Sequence, residues 1–480
     1  MVIDLQIVGI RYEVESLVRM LLPEDTVTVI TDGTCFTGKD YIRITEEAAQ
    51  DGAICKVKTH YKETDMRDQS LCSNDTHQKE QAVCRLLYRQ LTKLLGHSLP
   101  WGMLTGVRPV KLIRTMTEEG RSEQEIARWL RDYGVSEPRV QLCFDTWKNQ
   151  KDLILRRDPR EISLYVAIPF CPTRCSYCSF VSHSIEKAGE LVERYLDSLL
   201  LELHCTAQLV AQYGLKIVTV YFGGGTPTSL SASQLEKLLS AIRQEFDLTA
   251  CTEFTVEAGR PDTFEEEKLV VMQKNGVTRI SINPQTLNND ILQTIGRRHT
   301  VQQFFSAYQM AEKYPFEKNV DLIAGLPGDT MESFRDSVER VIALHPENIT
   351  VHALTIKHAS ALKNSALQHR DALELVEYSR MALREAGYIP YYLYRQKGTV
   401  DALENVGYTL AGHRCLYNVY IMDDSHTIIS VGAGGVSKLV PPNHQRIERV
   451  FNYKYPYEYI SRFETVLERK RTMPLGCLIR

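Results

Sequence analysis

Cys171-Pro172-Thr173-Arg174-Cys175-Ser176-Tyr177-Cys178 sets three cysteines at C-x3-C-x2-C spacing directly after an apolar, strand-like run, Tyr165 to Phe170. Three thiolates can hold three corners of a cubane iron–sulfur cluster and leave the fourth iron without a protein ligand. The competing reading is a structural zinc site, which closes with four ligands, usually two C-x2-C pairs or histidines at fixed offsets. No second pair lies nearby, and His183 is poorly placed to complete such a set. The spacing favours the cluster. An iron with an open position can chelate the amino and carboxylate groups of S-adenosylmethionine and pass one electron into its sulfonium bond.

Around the triplet the chain alternates between strand and helix patterns, which predicts a parallel sheet. Strands are expected at 163–168, 217–222, 253–257, 279–283, 319–324 and 348–354, with helices between them at 188–213, 232–246, 263–275 and 300–314. Six strand–helix units predict a partial barrel, with its chemistry at the carboxyl ends of the strands. Gly223-Gly224-Gly225-Thr226-Pro227-Thr228 follows the second of these strands. Glycines let backbone approach a ligand closely. No G-K-[ST] follows, and Thr226-Pro227 is unlike a dinucleotide fingerprint. Glu257 ends the third strand, Gln285 follows the fourth, and Arg297 and Asp321 lie beyond. Each alone reads better as a helix cap or a surface charge. Together they supply what a zwitterionic nucleoside needs: a carboxylate, a guanidinium and acceptors for ribose hydroxyls.

The flanks differ. Residues 1 to about 62 alternate like strands, at 3–10, 27–31, 41–45 and 54–61, with turns such as Asp32-Gly33 and a helix near 14–22. From His77 the period becomes helical, with Val83, Leu86, Leu87, Leu91, Leu94 and Leu95 as an apolar stripe. Further helices are expected at 123–133 and 140–155, with a dense loop at 101–109 between. After the charged linker Arg156-Arg157-Asp158-Pro159-Arg160 comes the barrel. Beyond Tyr394 the alternation stops: 417–421 and 427–431 read as a hairpin, then Gly432-Ala433-Gly434-Gly435, then a helix at 457–470. The expected organisation is an N-terminal α/β and helical domain (1–155), the barrel (160–395) and a small C-terminal α+β domain (396–480).

Composition excludes several classes. At 480 residues, two or three domains are expected, and 43% hydrophobic with 24% charged residues is an ordinary globular balance. A formal charge of −3 gives no bulk attraction to nucleic acid or to an anionic membrane. No apolar run approaches the roughly 20 residues of a membrane span, and Met1 to Gln6 carries no basic signal-peptide start. Apart from the triplet, the twelve cysteines are scattered, which fits a reducing cytoplasm.

The triplet and the preceding Tyr165-x-x-Ile168-Pro169-Phe170 resemble the radical S-adenosylmethionine (SAM) superfamily, in the branch that contains oxygen-independent coproporphyrinogen dehydrogenases. The resemblance spans about residues 160–440. It implies an α/β fold, a partial (β/α)6 radical SAM barrel, with Cys171, Cys175 and Cys178 as ligands of a [4Fe–4S] cluster. It further implies Tyr177 against adenine, Tyr165 near the cofactor, and Gly224, Gly225 and Thr226 at the methionyl amino end. Glu257 and Arg297 match the pair at the amino and carboxylate ends, Gln285 and Asp321 the ribose contacts, and Thr355 the adenine contact from the sixth strand. Leu104-Thr105-Gly106-Val107-Arg108-Pro109, Ala258-Gly259-Arg260-Pro261-Asp262, Asn283-Pro284-Gln285-Thr286 and Leu393-Tyr394-Arg395-Gln396-Lys397 resemble one subgroup of that family.

The implied activity is the oxidative decarboxylation of two propionates of coproporphyrinogen III to vinyls. The implied partners are a tetrapyrrole substrate and a flavodoxin- or ferredoxin-type electron donor, with no nucleic acid and no membrane span. Arg260, Arg298, Lys357, Arg395 and Lys397 are candidate propionate partners. Phe180 stands where the well-established enzyme has a fourth cysteine, and Ala167 replaces a histidine, departures that the first shares with the haem chaperones of the same branch. A haem-binding chaperone and another tetrapyrrole-acting radical enzyme are the alternative readings.

Overall fold

The computed structural model describes residues 1–31, 40–156, 158–180, 182–355, 369–396, 398–399, 402–442 and 446–478. Asp32-Gly33, Lys357 and Lys397 lie outside the described residues. The chain divides into two compact units, Met1–Phe144 with Arg395–Leu403, and Asp145–Tyr394 with Glu404–Arg480.

The first unit is built on β1 (Val2–Leu5), β2 (Thr28–Ile30), β3 (Tyr41–Ala49), β4 (Gly52–Tyr61) and β5 (Thr64–Cys72), in the order β2-β1-β3-β4-β5. β1 runs parallel to β2 and β3, and β3, β4 and β5 form an antiparallel meander. Ile3, Leu5, Ile42, Ile44 and Val57 of the sheet bury against Val14, Leu17 and Val18 of the helix Arg11–Leu21 and against Val83, Leu87 and Leu91 of the helix Thr76–Leu95. Asp75 caps the second helix by accepting from the Gln78 amide, and Gly96 ends it at φ +72°. β5 escapes a hydrophobic reading because it is a polar edge strand with no fully buried residue.

The loop 101–109 is a structural connection. Arg395 donates from its amide to the Val107 carbonyl (2.7 Å) and from its guanidinium to the carbonyls of Leu104 and Gly106, and it lies over the Trp101 ring. Arg395 is only 5% exposed and spends its donors on backbone, so it is not available to a propionate. Pro109 then opens a helix, Pro109–Glu118, over a stretch to which the sequence pattern assigned no element beyond the loop's last residue.

The second unit carries β6 (Glu161–Ile168), the short pair β7 (Phe170–Cys171) and β8 (His183–Ser184), β9 (Lys216–Gly224), β10 (Glu253–Glu257), β11 (Arg279–Ser281), β12 (Glu317–Ala324) and β13 (Asn348–Ala353). β14 (Ile389–Arg395), β15 (Glu404–Thr409), β16 (Thr427–Val431), β17 (Val436–Leu439) and β18 (Glu448–Phe451) complete it. One sheet has the order β14-β15-β13-β12-β11-β10-β9-β6-β16-β17-β18. The six expected strands, β6 and β9 to β13, are adjacent and parallel, with helices between them. This is a partial (β/α)6 barrel.

Two expectations need correction. The C-terminal segment does not form a sheet of its own: β16 adds to β6 in parallel and β15 to β13 in antiparallel. β16 is buried at every residue, and such a run fits the middle of a large sheet as well as a hairpin. Tyr417–Ile421 is not a strand but part of the helix Leu416–Asp423. Its aromatic and β-branched residues favour a strand. Buried Glu253 overrides them, because its carboxylate accepts from the free first-turn amides of Leu416 (2.6 Å) and Tyr417 (3.0 Å). Among the described residues, no helix is long and apolar enough to cross a membrane.

Candidate functional site

The cysteine loop leaves the carboxyl end of β6. It is tied on one side to the segment before Arg297, where the Ser176 amide donates to Ile295 and the Thr173 hydroxyl to Gly296. Each of the three sulfurs has a donor. The Thr226 hydroxyl points at Cys171 Sγ (3.5 Å), Arg260 Nη1 at Cys175 Sγ (3.7 Å), and the Phe180 amide at Cys178. Burial pushes the Cys171 and Cys178 thiols up, with Cys175 adding to the effect at both.

The glycine run packs against this loop. A Cβ at Gly225 would lie 2.5 Å from the Phe170 carbonyl and 3.0 Å from Cys171 Sγ, so no side chain fits there. The amides of Gly225 and Thr226 donate to the carbonyls of Ile168 and Phe170, and the Gly224 amide serves the Glu257 carboxyl. The run's amides are thus committed within the protein, and what it can offer a ligand's ammonium is carbonyl oxygen.

Partly exposed polar residues on these strands include Tyr165, Tyr221, Glu257, Asp321 and His352. Burial pushes the Glu257 carboxyl up to about 7, against the opposing hydrogen bond from Tyr221 (2.6 Å). Asp321 accepts from Asn283 (2.8 Å) and Asn319 (2.7 Å) and faces His352 (3.6 Å). Burial raises its carboxyl, but His352, Asn319 and Thr350 outweigh this and hold it below the usual range.

Three expected residues are brought into contact through one hydroxyl. Tyr177 donates to Gln285 Oε1 (3.3 Å) and accepts from Arg297 Nη2 (3.1 Å), while packing on Ile291, Leu292, Ile295, Ile323, Leu326 and Leu354. Gln285 is held at φ +70° by backbone bonds to Asp321 and Ile323, an outlier of the kind that clusters at functional sites. Arg297 also grips the carbonyls of Gly259 and Asn283, and its Nε is buried with no hydrogen-bond partner among the described residues. Thr355, just past β13, bonds back to the Ala353 carbonyl.

The sequence pattern missed Tyr221 and Tyr417, and it gave Arg260 a different role. Tyr165, Tyr221 and Tyr417 form a stack, with Tyr221 and Tyr417 ring centres 4.2 Å apart. Tyr221 was legible as the residue paired with Tyr165 on the next strand. Tyr417 arrives from a helix in the C-terminal segment, and no local pattern announces it. Arg260 is no propionate partner: it is 3% exposed and bonded to Asp262, Thr173 and Cys175. Arg298 is exposed and paired with Glu186.

The sequence profile of the Radical SAM superfamily matches residues 165–341. Fold, cysteine loop and profile together place the chain in the radical SAM superfamily. Over 385 residues it is 38% identical to the oxygen-independent coproporphyrinogen-III oxidase-like protein HemZ of Bacillus subtilis, covering 78% of this chain and 77% of that one. The chain belongs to this HemZ-like family of coproporphyrinogen-III oxidase relatives. It is also 33% identical over 301 residues to the heme chaperone HemW of Lactococcus lactis, covering 61% of this chain and 73% of that one. Coproporphyrinogen III oxidase (HemN) from Escherichia coli shares the fold, with a TM-score of 0.54 at 24% identity, over 66% of this chain and 72% of that one.

The superfamily's cofactors are a [4Fe–4S] cluster and SAM, and the residues present fit both. Hydrogen bonds to sulfur are a recognised means of stabilising cluster thiolates, and each cysteine of the triplet has one. The partnerless Nε of buried Arg297 suits a carboxylate, and the desolvated Glu257 suits an ammonium.

Proposed function

We propose that this chain is an oxygen-independent coproporphyrinogen III dehydrogenase, converting two propionates of the substrate to vinyls and giving protoporphyrinogen IX. The observation that carries this reading is the bonded set Gln285–Tyr177–Arg297 beside the three cysteines, with Glu257 and Asp321 across the sheet. A protein that only carried haem would have little use for the whole set. When bound, the cluster and SAM supply a 5′-deoxyadenosyl radical able to take hydrogen from a propionate β-carbon.

The protein's part is to bind, orient and exclude water. Cys171, Cys175 and Cys178 hold the cluster. Glu257 and the carbonyls of the Gly224-Gly225-Thr226 run take the methionyl amino group, and Arg297 takes the carboxylate. Gln285 and Asp321 meet the ribose, and Tyr177, Thr355 and Tyr165 line the base and the cofactor's surroundings. A flavodoxin- or ferredoxin-type protein delivers the electron, and the reducing cytoplasm protects the cluster.

The test is anaerobic turnover with SAM, coproporphyrinogen III and an electron acceptor. Mass spectrometry is expected to find carboxyl loss together with 5′-deoxyadenosine. The chaperone reading has one observation in its favour, Phe180 at the position of the fourth cysteine and 66% exposed. Stoichiometric haem binding without substrate consumption would establish it instead. Consumption of haem itself would keep the enzyme class and change the substrate.

A further inference from the structure

We propose that Arg260 is the residue that positions the cysteine loop and sets the cluster's reduction potential, through a hydrogen bond to the Cys175 sulfur. The proposal rests on the cluster being held by Cys171, Cys175 and Cys178. Arg260 follows the carboxyl end of β10 by three residues, and its own backbone is pinned, with its carbonyl accepting from the Thr263 amide (2.9 Å) and hydroxyl (2.7 Å). Its guanidinium forks onto Asp262, Nε to Oδ1 at 3.0 Å and Nη2 to Oδ2 at 2.9 Å. The other edge faces the cysteine loop: Nη2 donates to Thr173 Oγ1 (3.0 Å), Nη1 to the Thr173 carbonyl (3.3 Å) and to Cys175 Sγ (3.7 Å).

This arrangement does two things. It fixes the loop between the first and second cysteines by side-chain and main-chain bonds, which only a planar, five-donor group can do while also holding a carboxylate. It also aims an N–H at the buried Cys175 sulfur. Donors to the sulfurs stabilise the more electron-rich, reduced cluster and raise its potential. Asp262 works against that by offsetting the guanidinium's charge. His299, 2% exposed and 4.0 Å from Asp262, adds no positive charge, because burial, with Arg297 adding to it, drives its pKa down to about 3. Arg260 and Asp262 therefore form a balanced pair whose members act on the cluster with opposite sign.

That opposition separates tuning from mere support. The experiment is iron content and an anaerobic redox titration followed by paramagnetic resonance on the full chain, with Arg260→Met, Arg260→Lys and Asp262→Asn. Arg260→Met is expected to move the midpoint potential in the negative direction, Arg260→Lys to move it less, and Asp262→Asn to move it in the positive direction. Thr173→Val, which removes the hydroxyl's two loop bonds, to Gly296 and from Arg260, and no charge, is expected to leave the potential near that of the parent. Full iron and an unchanged potential in Arg260→Met overturns the proposal. If Arg260→Met cannot hold iron, Arg260→Lys decides, and a parental potential there overturns it equally. Shifts of the same sign in all variants mean generic loosening and also reject it. Parent protein that binds no iron overturns the cluster assignment itself, and the role of Arg260 with it.

Discussion

The Tyr221 hydroxyl meets the Glu257 carboxyl at 2.6 Å, across two neighbouring parallel strands. Desolvation raises the carboxyl to about 7, and the Tyr221 bond is the largest influence opposing it. Near neutral pH this group is therefore poised between its two forms.

If Glu257 is the charged acceptor of the methionyl amino group, it must be ionised in the complex. Below about 7 the free protein keeps the proton and binding releases it. SAM affinity is then expected to fall about tenfold for each pH unit below that point and to level off above it, as linkage to one proton requires. Calorimetric titration between pH 5.5 and 8.5 reads this. Glu257→Gln should bind weakly with no such slope, and Tyr221→Phe should move the break to higher pH. A parent affinity independent of pH would remove Glu257 from the ammonium site.

Arg297→Ala is expected to weaken SAM binding by on the order of 2 kcal/mol or more, the usual cost of a lost charge-assisted bond, while iron content stays at the parental level. The substitution also releases the carbonyls of Gly259 and Asn283, so thermal stability should drop as well. Tyr177→Phe separates the two effects. It keeps the ring and removes only the hydroxyl between Gln285 and Arg297, so affinity should fall modestly with little loss of stability. Unaltered affinity in both variants would take this trio out of the ligand site.

How far the sequence could be read followed from how local each cause is. The six parallel strands were legible because strand and helix patterns alternate regularly, with some helix starts marked by a capping residue, such as Ser231 before the helix Ala232–Glu245. The cysteine loop and the strand-end residues were legible because barrel chemistry collects at strand ends. The helix at Leu416–Asp423 was not, because the group that stabilises its first turn, Glu253, lies far away in sequence. Arg260 was mistaken for a substrate contact for a similar reason: its partners Thr173 and Cys175 come from a distant loop. An exposed arginine and a buried one look alike in a sequence.

Glu253 is expected to be a point of structural sensitivity away from the chemistry. Its carboxylate takes the amides of Leu416 and Tyr417 and stands 3.7 Å from Arg279, with both side chains nearly inaccessible. Glu253→Ala should cost about 3–5 kcal/mol, as removal of one member of a buried pair commonly does, and Glu253→Gln less. Because Tyr417 rides on that helix, the near-ultraviolet dichroism of the tyrosine stack should change along with the urea midpoint. A stability loss with unchanged dichroism would mean that the helix does not depend on Glu253.

The last prediction concerns Gly432-Ala433-Gly434-Gly435, the run that follows β16. Gly432 sits at φ +90°, and a Cβ there would lie 2.5 Å from the Tyr195 hydroxyl and 2.6 Å from the Ala167 carbonyl. Its amide donates to Glu202 (2.7 Å), which is fully buried and also accepts from Tyr459 (2.6 Å) and Asn452 (2.7 Å). Lys470, 1% exposed, pairs with Glu202 at 3.3 Å and bonds the Ser430 carbonyl. The buried carboxylate thus gathers the helix Leu191–Gln212, the turn after β16 and the helix Phe463–Arg471 at one point. Lys470→Met leaves the carboxylate charged and short of its cation, and it should cost about 3–5 kcal/mol. Adding Glu202→Gln removes the stranded charge while keeping an acceptor for the amide and the hydroxyl, so the double variant should regain part of that loss. Urea unfolding of the four proteins in a double-mutant cycle measures the coupling, expected to exceed about 1 kcal/mol for groups in contact. Strict additivity would show that the pair does not act as a unit, and that the neutral donors around Glu202 hold the turn by themselves.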